Sequence, residues 1–329
     1  MRKIGVIGGG AWGTALASVA ARAGNAVTLW ALEPEVAKAI NDTHENSVFL
    51  PGVALPKEVR ATNDLAGLKD VAACLLVSPA QFARRMTADL APHLPSGAPI
   101  VICSKGIEQG TNKLMSEVIG ETLPGAPVVI LSGPTFAGEV AKGLPTAVTL
   151  AGEGSVADRV AEMIGLPEFR PYISHDVIGA QIGGAIKNVL AIAAGVTIGK
   201  KLGDNAHAAV ITRSLAEMLA FGKAKGGEPL TLMGLSGLGD LILTAGSLQS
   251  RNTSLGKALG EGKSLDEILG ARRSVSEGVY TASAVAAMAR QMGVPMPICK
   301  AVDRVLNGGT NIDEEIDGLL NRPFTPEFE

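Results

Sequence analysis

The chain has 329 residues, of which 47% are hydrophobic and only 3% aromatic, and its formal net charge is −3 at pH 7. This length predicts two domains, and the composition predicts ample apolar cores packed through small side chains. The slight acidity, without a basic stripe, argues against a nucleic-acid partner, whereas a small anionic substrate needs only a few local basic groups.

The amino terminus argues against an export signal, and the spacing of the cysteines and histidines argues against a metal site. No apolar segment with a cleavage site follows Met1, so we expect a cytoplasmic protein. The cysteines lie far apart in apolar runs, which predicts reduced, buried thiols at Cys74, Cys103 and Cys299. The histidines also lack ligand spacing, at His44, His93, His175 and His207. We therefore predict no metal site.

The first pattern with chemical content is a strand, a glycine-rich turn and a helix. The apolar run Lys3–Ile7 is followed by GGGAWG and then by a helical run, Thr14–Ala23, with a second strand at Ala26–Trp30. This is G-x-G-x-x-G: Gly8 permits the tight turn, Gly10 lets a pyrophosphate approach the backbone, and Gly13 allows close helix packing. The pattern predicts a dinucleotide site, the alternative being a glycine-rich turn that binds no ligand.

Strand-like and helical runs alternate beyond this unit, which predicts an α/β domain with a doubly wound parallel sheet. The pairs are Ala72–Val77 with Phe82–Leu90, Pro99–Cys103 with Lys113–Thr122, and Pro127–Leu131 with Phe136–Lys142. Two further strands are expected at Thr146–Ala151 and Phe169–Ile173. The remaining chain is predicted to be helical, at Val177–Gly199, Asn205–Lys225, Asn252–Leu259, Leu265–Leu269, Glu277–Met292 and Pro297–Leu306. We therefore predict domains at residues 1–175 and 176–329.

Two polar stretches follow predicted strands, at Ser104–Gly106 and Ser132–Phe136. Ligands bind at the carboxyl edge of such sheets, so both stretches are candidate site segments. Lys105 lies in the first of them, and its alternative interpretation is a solvated loop lysine.

The segment Val177–Gly199 runs 23 residues with a single charge, Lys187. At helical spacing its face carries only small residues, which predicts room beside it: Ala180, Gly183, Gly184, Ala191 and Ala194. A buried ammonium has a lowered pKa and suits proton transfer. Snorkelling to solvent or pairing with a carboxylate is the alternative. A membrane span is disfavoured by the glycines, the amides and the central lysine.

The glycine-rich segment Met233–Leu241 is predicted to be a loop, and it ends beside an acid, Asp240. Asp240 suits either a helix N-cap or a catalytic role, and both remain open. Shortly afterwards, Arg251 and Asn252 stand at the start of a predicted helix. A guanidinium beside free backbone amides predicts an anion site.

Seven motifs in this order resemble the bacterial NAD(P)-dependent glycerol-3-phosphate dehydrogenase family over nearly the whole chain. They are GGGAWGTALA (Gly8–Ala17), CSKGIE (Cys103–Glu108), SGPTFAGEVAKGLPTA (Ser132–Ala147), GGAIKNVLAIAAG (Gly183–Gly195), GLGDLILT (Gly237–Thr244), QSRN (Gln249–Asn252) and SEG (Ser276–Gly278). The resemblance implies a Rossmann-type first domain and an all-helical substrate domain like that of 6-phosphogluconate dehydrogenase. It further implies interconversion of dihydroxyacetone phosphate and sn-glycerol 3-phosphate for phospholipid synthesis, with NAD or NADP as cofactor, by a homodimer.

The family's functional positions carry over residue by residue. The resemblance implies Lys187 as proton donor and acceptor, flanked by other catalytic groups at Lys105, Asp240 and Thr244. It implies substrate contacts at these lysines and the aspartate, and also at Gly133, Thr135, Ser250, Arg251 and Asn252. It implies cofactor contacts at Gly8, Gly10, Ala11, Trp12, Gly13, Leu32, Glu33, Lys105, Ala137, Arg251, Val275 and Glu277.

The turn after the second strand departs from the family, in which members favouring NADPH usually carry arginine or histidine. Here it contains Leu32 and Glu33, so the expected cation is missing. Glu33 lies 20 residues after Gly13, about where an acid accepts the ribose 2′-hydroxyl of NAD. Alternatively, Glu33 precedes Pro34 and caps the next helix. We predict that NADH is used at least as well as NADPH.

Two other classes of protein share parts of this pattern. One is a dehydrogenase of the same architecture acting on a β-hydroxyacid or a sugar acid, against which the Arg251 and Asn252 pair favours a phosphomonoester. The other is a cofactor-binding protein without turnover, which the joint presence of Lys105, Lys187 and Asp240 disfavours.

Overall fold

The computed structural model describes residues 1–271 and 276–327. Its strands are β1 (Lys3–Ile7), β2 (Ala26–Trp30), β3 (Glu45–Asn46), β4 (Leu50–Ala54), β5 (Val59–Thr62), β6 (Ala73–Leu76), β7 (Ile100–Ile102), β8 (Val128–Ser132), β9 (Thr146–Gly152) and β10 (Phe169–Ser174).

Helices surround the sheet and then form the rest of the chain. The first six are α1 (Ala11–Arg22), α2 (Pro34–Thr43), α3 (Ala83–Leu90), α4 (Met115–Thr122), α5 (Ala137–Ala141) and α6 (Val156–Ile164). The others are α7 (Val177–Gly199), α8 (Asp204–Ala224), α9 (Pro229–Leu232), α10 (Asp240–Ala245), α11 (Arg251–Gly260), α12 (Leu265–Gly270), α13 (Glu277–Met292), α14 (Pro297–Asn307) and α15 (Ile312–Leu320).

The first domain is built on an eight-stranded sheet of order β10-β9-β8-β7-β6-β1-β2-β5, with a separate β3–β4 hairpin. Six neighbouring strands run parallel, and β1 lies between β2 and β6. The chain therefore reverses its winding at β1, and the crevice at the carboxyl ends of β1 and β6 is where such sheets bind ligands. The predicted doubly wound sheet of Rossmann type is confirmed.

The last two strands differ from the expected all-parallel arrangement. β9 runs antiparallel to β8, and β10 is parallel to β9. The physical reason lies in α5, which has only five residues and so spans only about 7.5 Å. It packs against α1 instead of returning the chain to the opposite sheet edge, so the next strand starts beside the end of β8.

The second domain is helical, as predicted, and is organised around α7. This helix contacts α8, α10, α11, α13 and α14. It is long and apolar enough to cross a membrane, yet 78% of its most apolar window is buried inside the protein. The chain passes from β10 to α7 between Ser174 and Val177, where the Asp176 carboxylate accepts a hydrogen bond from Gly179 N at 2.7 Å.

Helices α7 and α11 cross in direct backbone contact through glycines on both sides. A Cβ at Gly195 would lie 2.1 Å from Thr253 O, and one at Gly256 would lie 2.0 Å from Ile192 O. No side chain fits at these distances unless the helices move apart. The close crossing fixes the start of α11 relative to the middle of α7.

Substitution of Gly195 by alanine should lower the free energy of unfolding by about 2–3 kcal/mol, because the added methyl group overpacks the crossing. The matched control is Gly120→Ala in α4, where a Cβ meets no atom of the described residues within 4 Å. There alanine should stabilise the protein by about 0.5–1 kcal/mol through its higher helix propensity. Urea unfolding of both variants measures the difference; equal effects would show that the crossing tolerates a methyl group.

Candidate active site

The glycine-rich turn lies between β1 and α1 and leaves room for an anion. Gly8 has a φ of +125°, and a Cβ at Gly13 would lie 1.8 Å from Gly8 O, so the turn packs too tightly for side chains. At Gly10, by contrast, a Cβ would meet no atom of the described residues within 4 Å. The amino end of α1 faces this open space, so the residues present fit the pyrophosphate of a dinucleotide.

Two of the other expected cofactor positions lie beside this turn, and a third begins the short helix that packs against α1. Ala11 and Trp12 form the first turn of α1, which begins earlier than the predicted helical run, and Ala137 begins α5. Trp12 Nε1 and Ser78 Oγ are buried without a hydrogen-bond partner in the described residues. Ser78 follows β6 and lies beside Gly8. The sequence does not predict Ser78 as a site residue, because a lone serine after a strand carries no distinctive pattern. Val275 lies outside the described residues.

The turn after β2 holds the two residues expected near the ribose. Leu32 is 71% exposed. Glu33 occupies the N-cap position of α2, but its side chain makes no capping hydrogen bond, and Pro34 begins the helix. Asn63 Nδ2 donates to Ala31 O at 2.6 Å and so holds the turn against the strand. Glu33 therefore caps α2 by position alone, and its carboxylate does not serve the helix.

A cluster of two lysines, one aspartate and one threonine lies between the domains. Lys187 Nζ donates to Asp240 Oδ1 and to Thr244 Oγ1, both at 2.7 Å. Lys105 Nζ donates to Asp240 Oδ2 at 2.7 Å and to Gly133 O at 3.0 Å. Asp240 is fully buried, so one carboxylate joins the lysine from the sheet edge to the lysine of α7. The structure therefore brings all four predicted catalytic residues together.

The local structure around Asp240 excludes one of its two predicted roles, that of a helix N-cap. The predicted loop is instead a π-helical turn, Leu235–Gly239, that leads directly into α10. Gly239 occupies the N-cap position, and Asp240 is the first helical residue. Its carboxylate accepts hydrogen bonds from Lys105, on the loop after β7, and from Lys187 on α7. The N-cap interpretation is therefore wrong.

The small residues beside Lys187 do not leave empty space, contrary to the prediction. A Cβ at Gly183 would lie 2.5 Å from Ser236 O, and one at Gly184 would lie 2.8 Å from Ser132 Oγ. These glycines let the π-helical turn and the end of β8 approach α7 closely. That approach brings Asp240 within reach of Lys187.

Burial changes the acidity of Lys187. Desolvation lowers its pKa to about 8 from an ordinary value near 10.5; Asp240 opposes this shift, and the nearby Lys105 charge adds to it. The pairing with a carboxylate that was the alternative interpretation is thus present. Lys187 is therefore both paired with a carboxylate and suited to proton transfer, because the pairing with Asp240 does not restore its ordinary pKa.

The expected anion site lies at the amino end of α11. Ser250 is the N-cap, and its Oγ accepts a hydrogen bond from Thr253 N at 3.2 Å. Arg251 begins the helix with an exposed side chain, while Asn252 is buried. Thr135 Oγ1 donates to Gly133 O, so this predicted residue lies beside the carbonyl that Lys105 binds.

Glu277 connects this region to the nucleotide-binding domain. Its Oε1 accepts a hydrogen bond from Ala80 N at 3.1 Å, which joins the start of α13 to the segment that follows β6. Burial raises the pKa of Glu277 to about 7, against the opposing effects of the Ala80 N–H and the Arg251 charge. The carboxylate thus lies between the cofactor side and the anion side of the cleft.

The chain is similar to known proteins over nearly its whole length. The family model described as NAD-dependent glycerol-3-phosphate dehydrogenase N-terminus matches residues 3–157, and the C-terminus model matches residues 176–317. A glycerol-3-phosphate dehydrogenase (NAD(P)+) of Caulobacter vibrioides is 58% identical over 326 residues, covering 99% of this chain and 98% of the relative. One of Parvibaculum lavamentivorans is 56% identical, with coverage of 99% and 98%.

Solved structures agree with the sequence relatives. The crystal structure of glycerol-3-phosphate dehydrogenase from Coxiella burnetii matches with a TM-score of 0.94 and 38% identity, covering 98% of this chain and 99% of that chain. The nucleotide-binding turn, the lysine–aspartate cluster and the start of α11 thus lie in a fold that this enzyme shares. The chain belongs to the NAD-dependent glycerol-3-phosphate dehydrogenase family.

Proposed function

We propose that this protein reduces dihydroxyacetone phosphate to sn-glycerol 3-phosphate with NADH or NADPH. The observation that carries the proposal is the Lys187–Asp240–Lys105 cluster. Arg251, at the amino terminus of α11, is close enough for its charge to act on Lys187, and the glycine-rich turn follows β1 of the sheet whose edge carries Lys105. A phosphorylated ketone matches this arrangement at both ends, because its carbonyl oxygen needs a proton and its phosphate needs cationic donors.

Lys187 supplies the proton to the substrate oxygen. Its pKa of about 8 leaves the ammonium mostly protonated at neutral pH and still acidic enough to give up a proton as alkoxide charge develops. Asp240 orients the ammonium, and Thr244 supports it from one helical turn further along α10. Lys105 contributes a second positive charge that stabilises the developing oxyanion.

Arg251 and the amino end of α11 hold the substrate phosphate, with Ser250 and Asn252 beside them. Gly133 and Thr135, the other proposed substrate contacts, lie beside Lys105, whose Nζ donates to Gly133 O. Fixing the phosphate orients the carbonyl toward Lys187, so little freedom remains to be lost in the reaction.

The cofactor supplies the hydride when it is bound. Its pyrophosphate would lie over Gly10 at the start of α1, in the turn that Gly8 and Gly13 keep tight, and Ala11 and Trp12 lie on the first turn of the same helix. The remaining proposed contacts are at Leu32, Glu33, Lys105, Ala137, Arg251 and Glu277. Val275 is a further proposed contact from the family resemblance alone.

The experiment that tests this function is NADH oxidation by the purified protein, followed at 340 nm with and without dihydroxyacetone phosphate. Consumption that depends on this substrate and yields sn-glycerol 3-phosphate supports the proposal. Binding of NADH without turnover of any substrate would instead support a cofactor-binding protein. Preferred turnover of a β-hydroxyacid or a sugar acid would support a different dehydrogenase of the same fold.

The pKa of Lys187 predicts opposite pH dependences for the two directions. Reduction needs the protonated lysine, so kcat/KM for dihydroxyacetone phosphate should fall as the pH rises through about 8. Oxidation of sn-glycerol 3-phosphate needs the neutral amine, so its kcat/KM should rise over the same range. Profiles of kcat/KM from pH 6 to 10 in both directions measure this, because kcat/KM reports the pKa of the free enzyme. Profiles of the same sign would show that another group carries the proton.

The turn after β2 predicts that NADH is used at least as well as NADPH. Leu32 offers no charge to a 2′-phosphate, whereas an arginine there would form charge-assisted hydrogen bonds worth about 1.5–3 kcal/mol. Leu32→Arg should therefore shift the ratio of kcat/KM toward NADPH by about tenfold or more, and Leu32→Met is the uncharged control. A wild-type preference for NADPH of roughly tenfold or more in kcat/KM would show that another basic group supplies this site.

The cellular setting follows from the family resemblance. We propose a cytoplasmic homodimer that provides sn-glycerol 3-phosphate for phospholipid synthesis. Light scattering on the purified protein tests the dimer: a mass near that of a single chain would contradict it.

A further inference from the structure

Two buried asparagines connect the separate parts of the cleft. Asn252 Nδ2 donates to Asn188 Oδ1 at 2.9 Å, and Asn188 Nδ2 donates to Lys105 O at 3.2 Å. At the other end, Gly278 N donates to Asn252 Oδ1 at 3.2 Å. We call Asn188 and Asn252, with these three bonds, the asparagine bridge.

The side chain of Asn188 is saturated by the protein. Its two amide hydrogens are directed to two carbonyl oxygens, those of Lys105 and of Gly184 at 3.3 Å, and its Oδ1 accepts from Asn252. The residue is 6% exposed. Asn188 therefore has no amide hydrogen left for a ligand and acts on the site through the groups that it holds.

Each end of the bridge lies next to a residue of the proposed reaction. Asn188 follows Lys187 in α7 and fixes the backbone of Lys105. Asn252 follows Arg251 at the start of α11, and Gly278 follows Glu277 in α13. The bridge thus joins the proton-donating end of the cleft to the phosphate-binding end and to the helix that contacts the nucleotide-binding domain.

The packing leaves the bridge little freedom. A Cβ at Gly278 would lie 2.6 Å from Asn188 O and 2.9 Å from Asn252 Oδ1, so α13 crosses α7 at the bridge itself. A buried polar network with a saturated Asn188 at its centre specifies one geometry, since each unmade bond would leave a costly unpaired group.

A substrate held at two ends depends on the distance between them. Phosphate binding can lower the barrier at the carbonyl only when Arg251 and the lysines keep a fixed separation. A displacement of about 1 Å in such a site can cost roughly 10²-fold in rate.

We propose that Asn188 is a positioning residue that sets the distance between the phosphate-binding arginine and the two lysines. This inference rests on the proposed function. It differs from a general stabilising role in one measurable respect: a substrate without a phosphate spans only one end of the cleft and does not need the fixed distance.

The test compares Asn188→Ala with the wild-type enzyme on dihydroxyacetone phosphate and on unphosphorylated dihydroxyacetone. We expect kcat/KM to fall roughly 10²-fold for the phosphorylated substrate and less than about threefold for the other. The dissociation constant for NADH, measured by fluorescence, should change less than about threefold, because the bridge does not touch the glycine-rich turn. Asn188→Asp has nearly the same shape and keeps the acceptor for Asn252, so it tests the lost donors if the alanine variant does not fold.

A matched control separates positioning from stability. Asn25→Ala removes another buried asparagine, whose Nδ2 donates to Ala20 O and Met163 O away from the cleft, and it should leave the ratio between the two substrates unchanged.

Several outcomes would overturn the inference. Equal losses on both substrates would mean that Asn188 serves folding and does not set the distance between the two ends of the cleft. If the wild-type enzyme does not reduce dihydroxyacetone phosphate, the proposed function fails. If it does and the variant loses both activities equally, only the positioning role fails.

Discussion

Lys187→Ala should lower kcat for reduction of dihydroxyacetone phosphate by roughly 10²–10⁴-fold, the usual contribution of a general acid. The affinity for NADH should change little, because the lysine bonds to Asp240 and Thr244 and lies on α7, whereas the dinucleotide turn lies between β1 and α1. Steady-state kinetics and fluorescence titration with NADH measure the two quantities separately.

A matched control for this variant is Lys200→Ala, which removes a lysine just after the same helix. Lys200 pairs with Asp313 at the surface, so its loss should leave kcat unchanged. Retention of kcat within about tenfold in Lys187→Ala would remove Lys187 from the proton-transfer role, since that loss is smaller than general acids normally cause.

Arg251→Ala should lower kcat/KM for dihydroxyacetone phosphate by about 10–100-fold, mainly through KM. A charge-assisted hydrogen bond is worth about 1.5–3 kcal/mol, and the guanidinium is placed to give such bonds to a phosphate. The low activity on unphosphorylated dihydroxyacetone should remain nearly the same, because that substrate has no anion to bind.

Lys257→Ala provides the comparison for the arginine variant. Lys257 lies further along α11 and pairs with Glu261 at the surface. Its substitution therefore removes a positive charge from the same helix without touching the cleft. It should leave both substrates unaffected. If Arg251→Ala weakens both substrates equally, Arg251 shapes the site and does not recognise the phosphate.

The sequence predicts this site best where a residue type is unusual for its surroundings. Lys187 stands out as the only charge in a long apolar helix, and the structure buries it beside a carboxylate. Gly8, Gly10 and Gly13 follow a spacing that the strand–turn–helix geometry itself requires. In both cases the local pattern already contains the physical reason for the residue.

Prediction is weaker where the partner is distant in sequence. Asp240 fits an N-cap equally well until the fold brings Lys105 and Lys187 to it, and the direction of β9 depends on how a five-residue helix packs. Asn188 carries no signal beyond being an amide in an apolar helix. Its importance appears only when α7, α11 and α13 are seen to cross at one point.

The most direct measurement of the central claim is the ratio of kcat/KM for dihydroxyacetone phosphate to that for dihydroxyacetone, determined for the wild-type enzyme and for Lys187→Ala and Arg251→Ala. A cleft with one proton donor and one phosphate site predicts a high ratio in the wild type. It also predicts loss of turnover on both substrates in the lysine variant and a collapse of the ratio in the arginine variant alone. A low wild-type ratio, or a ratio unchanged by Arg251→Ala, would contradict the account.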